Sequence, residues 1–167
     1  DNLKDKGYDI LTIGKICDIF NNRGITAATR AVDNLDGIKK LVKLMKLNFK
    51  GLSFTNLNDF DSKYGHRRDV EGYASALSEF DKYLPNIVNS LKPDDLLIIT
   101  ADHGNDPTYI GTDHTRENVP VLIFSRNFKQ RGELPYLQSF ADIGATIADN
   151  FKVEMPKVGK SFLEKLK

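Results

Sequence analysis

Hydrophobic and polar residues follow one another along the chain in blocks that predict strands separated by helices. Short apolar runs rich in β-branched residues predict buried strands. An apolar stripe at helical spacing, with lysines on the opposite face, predicts an amphipathic helix that packs on a core and is solvated on its lysine-rich side. The predicted strands cover residues 10–16, 51–57, 96–100 and 119–125, and the predicted helices cover 34–47, 69–92, 141–151 and 160–167.

This alternation indicates an α/β fold. Strands separated by helices favour a mainly parallel, doubly wound sheet with helices on both faces. The almost continuously apolar strand at 96–100 is typical of a strand covered on both sides. Pro85 is expected to kink or break the long helix that begins at Asp69. Ligands of such sheets bind at the carboxyl ends of the strands, so the residues that follow each strand are the candidates for chemistry.

Length and composition narrow the possible classes of protein. The 167 residues suit one domain, since single cores serve chains of about 100–200 residues. With 24 Lys and Arg against 23 Asp and Glu, the net charge of +1 gives no reason to expect nucleic acid or an anionic membrane as a partner. A single cysteine, Cys17, excludes an intrachain disulfide and favours a reducing compartment, so we expect a cytoplasmic protein. No apolar run approaches the ~20 residues of a membrane span.

The three histidines lie in predicted loops, each near an aspartate. Imidazole and carboxylate groups together form the usual ligand set for Zn²⁺ or Mn²⁺. Five such groups exceed the needs of one tetrahedral site and fall short of filling two. Two adjacent ions are a recurring solution for phosphoryl transfer, because they clamp the attacking and leaving oxygens. The candidate ligands are Asp61, His66, Asp102, His103 and His114.

Each of these signals also has a simpler explanation. A single loop histidine is more often a surface or hydrogen-bonding residue, and Asp-His-Gly is a weak motif because Asp and Gly are common in turns. Gly104 would permit a turn that converges Asp102 and His103. Arg67 and Arg68 could bind phosphate bidentately, but we favour surface charge at the start of a helix for both. Turn, strand or core roles are expected for Ser53, Thr112, Thr115 and Cys17.

Three stretches of the sequence resemble a known family. These are DILTIGKICDIF at 9–20, DFDSKYGHRRD at 59–69 and ITADHGNDPTYIGTDHTRENVPVLIFS at 99–125. Together they closely resemble the C-terminal core of the phosphopentomutases, members of the alkaline phosphatase superfamily. The resemblance extends from about Gly7 to the end of the chain. Cofactor-independent phosphoglycerate mutases share Asp-His-Gly-Asn but usually lack the Tyr-Gly-His-Arg-Arg-Asp stretch found at 64–69.

The resemblance implies a two-manganese site with divided ligands. Asp102 and His103 would bind one Mn²⁺ ion, while Asp61, His66 and His114 would bind the other. It also implies that Lys15 contacts the substrate phosphate, although a solvated lysine at a strand end explains that residue equally well. The family's phosphorylated threonine, one further aspartate ligand and the inserted cap domain are not found in these 167 residues. We therefore expect residues 1–167 to be a single C-terminal core segment whose partner is the N-terminal remainder of the same protein.

The activity implied for the whole protein is that of a phosphopentomutase. It would interconvert ribose or 2-deoxyribose 1-phosphate and 5-phosphate through a phosphothreonine, with a sugar bisphosphate as activator. Two alternatives remain within the superfamily, a phosphoglycerate mutase and a metal-dependent phosphatase. A non-catalytic fragment with the same fold is the alternative from another class. The isolated chain is expected to be inactive, because it offers no identifiable nucleophile.

Overall fold

The structure, a computed structural model, describes residues 1–166 and has the expected α/β fold. The strands are β1 (Asp9–Ile13), β2 (Ala27–Thr29), β3 (Gly51–Thr55), β4 (Leu97–Thr100) and β5 (Val121–Phe124). The helices are α1 (Asn2–Asp5), α2 (Ile16–Ile19), α3 (Asn34–Met45), α4 (Val70–Ser90) and α5 (Ala141–Phe151). A π-helical turn spans Phe60–Gly65, and a 3₁₀ turn spans Leu163–Lys165.

The strands form one parallel sheet and one antiparallel pair. β1 lies between β2 and β3 and is parallel to both, with Leu11 opposite Ala27 on one side and Ser53 on the other. β4 and β5 pair with each other in the antiparallel sense, with Ile98 opposite Ile123. The predicted mainly parallel arrangement is found in β1, β2 and β3, and β4 and β5 form a separate antiparallel pair. Within the described chain, the connection from β4 to β5 contains no crossover helix of the kind that usually joins parallel strands.

Side-chain caps start the two helices that follow the parallel strands. The Asp33 carboxylate accepts a hydrogen bond from the Asp36 N–H at 2.7 Å, and the Asp69 carboxylate accepts one from the Gly72 N–H at 2.8 Å. Such caps satisfy backbone donors that have no partner inside the helix.

The apolar core is formed by residues from several of these elements, and its most deeply buried side chains include Ile13, Ile16, Ile38, Ile87, Ala145 and Phe162.

The long helix α4 runs through Pro85 without interruption, so of the predicted kink or break the break does not occur. Proline removes one backbone N–H and leaves the carbonyl oxygen of residue i−4 without its helical partner. That oxygen belongs to Asp81, and both Pro85 and Asp81 are exposed to solvent. Water can therefore replace the missing hydrogen bond, and packing of α4 against α3 keeps the helix continuous.

The predicted helix at 160–167 is also wrong within the described residues, since only Leu163–Lys165 forms a 3₁₀ turn; Lys167 lies outside them. Side chains of α5 hold this segment in place. Asp142 accepts from the Lys160 N–H, and the Thr146 hydroxyl accepts from the Phe162 N–H at 3.1 Å. These bonds fix the segment against α5.

Burial at the antiparallel pair is lower than predicted. Residues Leu97–Ile99 are half-buried and Thr100 is exposed, so β4 is not covered on both faces in this chain. On β5, Leu122 and Phe124 are 58% and 40% exposed. No helix within residues 1–166 combines the length and the apolar character needed to cross a membrane.

Candidate metal centre

A π-helical turn positions Asp61 and His66 side by side. In an α-helix, residues five apart point in different directions, because they are separated by about 140° around the axis. Here the N–H of His66 donates to the carbonyl of Asp61 at 3.0 Å, which is the i→i+5 pairing of a π-helix. The wider turn brings both side chains to one face. The Nε2 atom of His66 lies 3.3 Å from Oδ1 of Asp61.

The loop between β4 and β5 brings the other two histidines to the same carboxylate. The Nε2 atom of His114 lies 3.2 Å from Oδ1 of Asp61. The rings of His103 and His114 stack with centroids 3.6 Å apart and planes inclined by 19°. One donor atom each from Asp61, His103 and His114 lie within 4.8 Å of one another, a separation that a single metal ion can bridge.

A backbone bridge between Gly104 and Thr115 closes this loop. A Cβ at position 104 would overlap the carboxylate of Glu117 and lie 2.8 Å from the Thr115 carbonyl oxygen. Glycine is therefore needed here for close backbone approach. The sequence predicted that Gly104 matters for this turn. Glycine is required there because the neighbouring groups pack too closely for a Cβ, and not because of a left-handed φ, since none is found there.

Two backbone carbonyls fix the orientation of the imidazole rings. The Nδ1 atom of His66 lies 2.5 Å from the carbonyl oxygen of Thr112, and Nδ1 of His103 lies 3.1 Å from that of Gly104. A carbonyl only accepts hydrogen bonds, so a neutral ring in this orientation would carry its proton on Nδ1 and direct the Nε2 lone pair away from the carbonyl. In His66 the Nε2 atom faces a carboxylate oxygen, an arrangement suited either to a cation held between the two atoms or to a second ring proton donated to the carboxylate. The donor set therefore fits a divalent metal ion.

Asp102 and Lys15 lie apart from the cluster formed by Asp61, His103 and His114. The Asp102 side chain is 72% exposed, and its Oδ1 is 3.8 Å from Nε2 of His103, so it reaches the cluster through that residue only. Lys15 follows β1 and lines a separate pocket of about 340 Å³ at the carboxyl ends of the parallel strands. Asn58, Asp59 and Ser62 also line that pocket, so it adjoins the segment that carries Asp61.

The environment of Asp61 also affects a neighbouring phenol. Burial raises the pKa of Tyr73, and the negative charge of Asp61 raises it further. Tyr73 lies on α4 and packs on Phe60 with ring centroids 5.8 Å apart. It therefore remains a neutral phenol beside the carboxylate at neutral pH.

Two further residues belong to the centre, although the sequence interpretation did not assign them to it. Asn105 is 9% exposed and donates from Nδ2 to Oδ1 of Asp61 at 2.6 Å. Arg68 is half-buried and makes hydrogen bonds within the protein, so the interpretation as surface charge is wrong for it, whereas Arg67 is exposed. The sequence offered one signal for them: Asn105 lies in the HGND stretch and Arg68 in the GHRRD stretch, each beside a candidate ligand.

Comparison with known proteins shows a similar fold and a matching family of metal-dependent enzymes. Its fold is similar to that of a phosphoglycerate mutase from Leishmania mexicana whose crystal structures were determined at low cobalt concentration, with a TM-score of 0.69 and 18% sequence identity. The similarity covers 95% of this chain, which spans 37% of the length of that mutase chain. At this level of identity the similarity shows a shared fold. Residues 9–155 match the family model of the metalloenzyme superfamily. The chain belongs to that superfamily, and its histidine and aspartate cluster lies inside the matched region.

Proposed function

We propose that the chain is the C-terminal core segment of a phosphopentomutase, which interconverts pentose 1-phosphate and 5-phosphate by metal-assisted phosphoryl transfer. The observation that carries this proposal is the contact of the His66 Nε2 atom with the Asp61 carboxylate, beside His103 and His114. The pentose substrate is supported by the resemblance of the segments at 59–69 and 99–125 to phosphopentomutases.

Two Mn²⁺ ions are the proposed cofactors. Asp61, His66 and His114 would hold one, and Asp102 and His103 would hold the other together with groups from outside this chain. When bound, the ions neutralise negative charge on the phosphoryl oxygens and lower the pKa of the attacking hydroxyl. The chain's own contribution is to present Nε2 lone pairs, with each fixed Nδ1 proton donated to a backbone carbonyl.

The pocket beside Lys15 is the proposed site of the substrate phosphate. Lys15, Arg30 and Lys63 place three cationic side chains around it. The Lys63 ammonium is paired with Asp59 at 2.9 Å, and the carboxylates of Asp18 and Asp33 also line the pocket. Lys15 and Arg30 make no ion pair among the described residues, so they are the groups proposed to meet an anion. A guanidinium and an ammonium together suit a phosphate, since one forms paired hydrogen bonds and the other acts as a point charge.

The N-terminal remainder of the same protein is the proposed partner of this segment. It would supply the phosphorylated threonine, one aspartate ligand and the cap that excludes water, while a sugar bisphosphate would prime the threonine. The exposed apolar side chains of Ile19, Phe20 and Leu122 support such a partner, because surface of this kind favours association. We also propose a cytoplasmic location, on the single buried Cys17, and neither nucleic acid nor membrane as a partner, on the near-zero net charge.

Phosphoglycerate mutase is the second candidate, and the shared fold is the observation that favours it. A metal-dependent phosphatase or a non-catalytic relative would use the same scaffold. These four candidates, the phosphopentomutase included, differ in which substrate they convert and into what product. The full-length protein, loaded with Mn²⁺ and a catalytic amount of sugar bisphosphate, is incubated with ribose 1-phosphate or 3-phosphoglycerate, and the products are followed by ³¹P NMR.

Conversion of ribose 1-phosphate to ribose 5-phosphate is the expected result, with no change in 3-phosphoglycerate. Conversion of 3-phosphoglycerate alone would support the second candidate, release of inorganic phosphate from both would indicate a phosphatase, and no turnover would indicate the non-catalytic relative. The isolated 167-residue chain in the same assay is expected to be inactive. Turnover by that chain would instead identify a hydroxyl such as Thr112 or Thr115 as the nucleophile.

A further inference from the structure

Arg68 is the most heavily hydrogen-bonded side chain near the candidate metal centre. Its φ of 53° is a left-handed conformation that residues other than glycine adopt rarely and that is often found where function requires it. All three guanidinium nitrogens donate, in five hydrogen-bond contacts of 2.5–3.2 Å, and Nη1 shares its two hydrogens among three of the acceptors. The acceptors are the carbonyl oxygens of Gly65, Asp106, Gly111 and Asp113 and the side-chain oxygen of Asn105.

These acceptors connect the two segments that carry the candidate ligands. Gly65 ends the π-helical turn of Asp61 and directly precedes His66. The other four acceptors lie between His103 and His114, in the loop joining β4 to β5. One guanidinium therefore holds both segments in a fixed relative position, and the hydrogen bonds leave no pair of parallel N–H groups free for a phosphate.

Asn105 extends this arrangement to the carboxylate. Its Oδ1 accepts from Arg68 at 2.8 Å, and its Nδ2 donates to Oδ1 of Asp61 at 2.6 Å. The two partners fix the amide orientation, since a guanidinium only donates and a carboxylate only accepts. Gly65 makes room for the amide, because a Cβ there would overlap Nδ2 of Asn105 and lie 2.6 Å from its Cγ.

We propose that Arg68 and Asn105 are a pair of positioning residues that orient Asp61 and hold the histidine loop against it, and that Arg68 has no role in binding substrate phosphate. Groups that hydrogen-bond to metal-binding carboxylates fix their orientation and tune their affinity. The proposal rests on the metal site of the proposed function. It assigns to the GHRRD stretch one internal arginine, Arg68, and one solvent-exposed arginine, Arg67.

The test compares Arg68→Lys and Asn105→Leu with Arg67→Lys in the full-length protein. Lysine keeps the charge of Arg68 but cannot form five bonds in a fixed plane, and leucine keeps the branched shape of the Asn105 side chain without its polar atoms. Co²⁺ is the probe, because its visible absorption reports the ligand geometry in the absence of substrate. The dissociation constant for Co²⁺, the absorption spectrum and the KM for ribose 1-phosphate are measured for each variant.

We expect Arg68→Lys and Asn105→Leu to weaken Co²⁺ binding by about 10–100-fold and to alter its spectrum. Arg67→Lys should stay within about twofold of the wild type in affinity, with the same spectrum. If Arg68→Lys does not fold, Asn105→Leu alone decides, since it leaves four of the five Arg68 bonds in place. The proposal would be overturned if Arg68→Lys bound Co²⁺ with the affinity and spectrum of the wild type. If only Asn105→Leu folds, the same result in that variant would overturn it. A raised KM for ribose 1-phosphate, with Co²⁺ binding unchanged, would instead indicate that Arg68 clamps the substrate phosphate. Failure of the wild type to bind Co²⁺ would overturn the proposed metal site, and the positioning role with it.

Discussion

The imidazole rings of His103 and His114, eleven residues apart in the sequence, stack face to face with their centroids 3.6 Å apart. The bridge between Gly104 and Thr115 produces this contact, because each bridged residue directly follows one of the two histidines. The Thr115 hydroxyl reinforces the bridge by accepting from the Asp106 N–H at 2.7 Å. The geometry of the candidate centre therefore depends on how closely the two ends of one loop approach each other.

Gly104→Ala should open this loop. The added Cβ would overlap the Glu117 carboxylate and approach the Thr115 carbonyl, so the two histidine rings should separate. We expect Mn²⁺ affinity to fall by at least about tenfold, measured by calorimetric titration of the full-length protein. Gly132→Ala is the matched control, since nothing lies within 4 Å of a Cβ there. Equal affinity in both variants would show that the close approach at Gly104 is unnecessary.

His114→Ala in the full-length protein should abolish turnover and reduce the bound Mn²⁺. The imidazole is one of the three groups proposed to hold the ion at Asp61, and its Nε2 lies 3.2 Å from Oδ1 of Asp61, so its loss leaves an incomplete ligand set. Metal content after gel filtration and ³¹P NMR of ribose 1-phosphate conversion provide the two measurements. Asp113→Asn changes the adjacent exposed residue and should leave both values near those of the wild type. Near-normal turnover by His114→Ala would refute the assignment of His114 as a ligand.

Pro85→Ala should stabilise the protein. Alanine restores the N–H that can donate to the Asp81 carbonyl, and proline in a helix interior typically costs about 3 kcal/mol. Because both residues are exposed, water can solvate that carbonyl, and we expect a gain of only about 1–2 kcal/mol in the free energy of unfolding in urea. Asn86→Ala, which changes only helix propensity, should alter it by less than about 0.7 kcal/mol. A loss of stability in Pro85→Ala would mean that the helix path depends on the proline.

Asp36→Asn should lower stability at pH 7 but not at pH 2. The Asp36 carboxylate accepts hydrogen bonds from Lys40 and from the Val32 N–H, and both lower its pKa below the ordinary value of 3.8. A lowered folded-state pKa stabilises the fold above pH 3.8, and this contribution is lost as the pH falls through the folded-state value. Urea unfolding of wild type and variant should therefore converge in acid. Asp81→Asn on the exposed face of α4 should show no such convergence, and the same pH dependence in both variants would contradict the role of Asp36.

The elements with strong local signals were predictable from the sequence. The amphipathic stripe of α3 and the apolar runs of β1 and β3 appear within a few residues of their predicted bounds. Local pattern gives no information about strand β2, whose three residues are all exposed, and it cannot set the direction of β5. Direction depends on whether the connection contains a crossover helix, which is a tertiary property.

The candidate site was predictable as a set of residues but not as a geometry. Strand ends and residue chemistry pointed to all three histidines and to Asp61. The stacking of His103 on His114, and the contact of His103 with the Asp61 group, depend on backbone bridges that no local pattern encodes. Arg68 shows the same limit, because the sequence could not distinguish an internal arginine from the exposed Arg67 beside it.

Crystals of the full-length protein grown with Mn²⁺ would show whether the cluster binds metal, through an anomalous difference map recorded at the manganese absorption edge. We expect a peak bonded to Asp61, His66 and His114 at about 2.0–2.3 Å, with a second peak bonded to Asp102 and His103. The Nδ1 atoms of His66 and His103 should remain hydrogen-bonded to the carbonyls of Thr112 and Gly104. A map without a peak at Asp61, His66 and His114 under saturating Mn²⁺ would contradict the account.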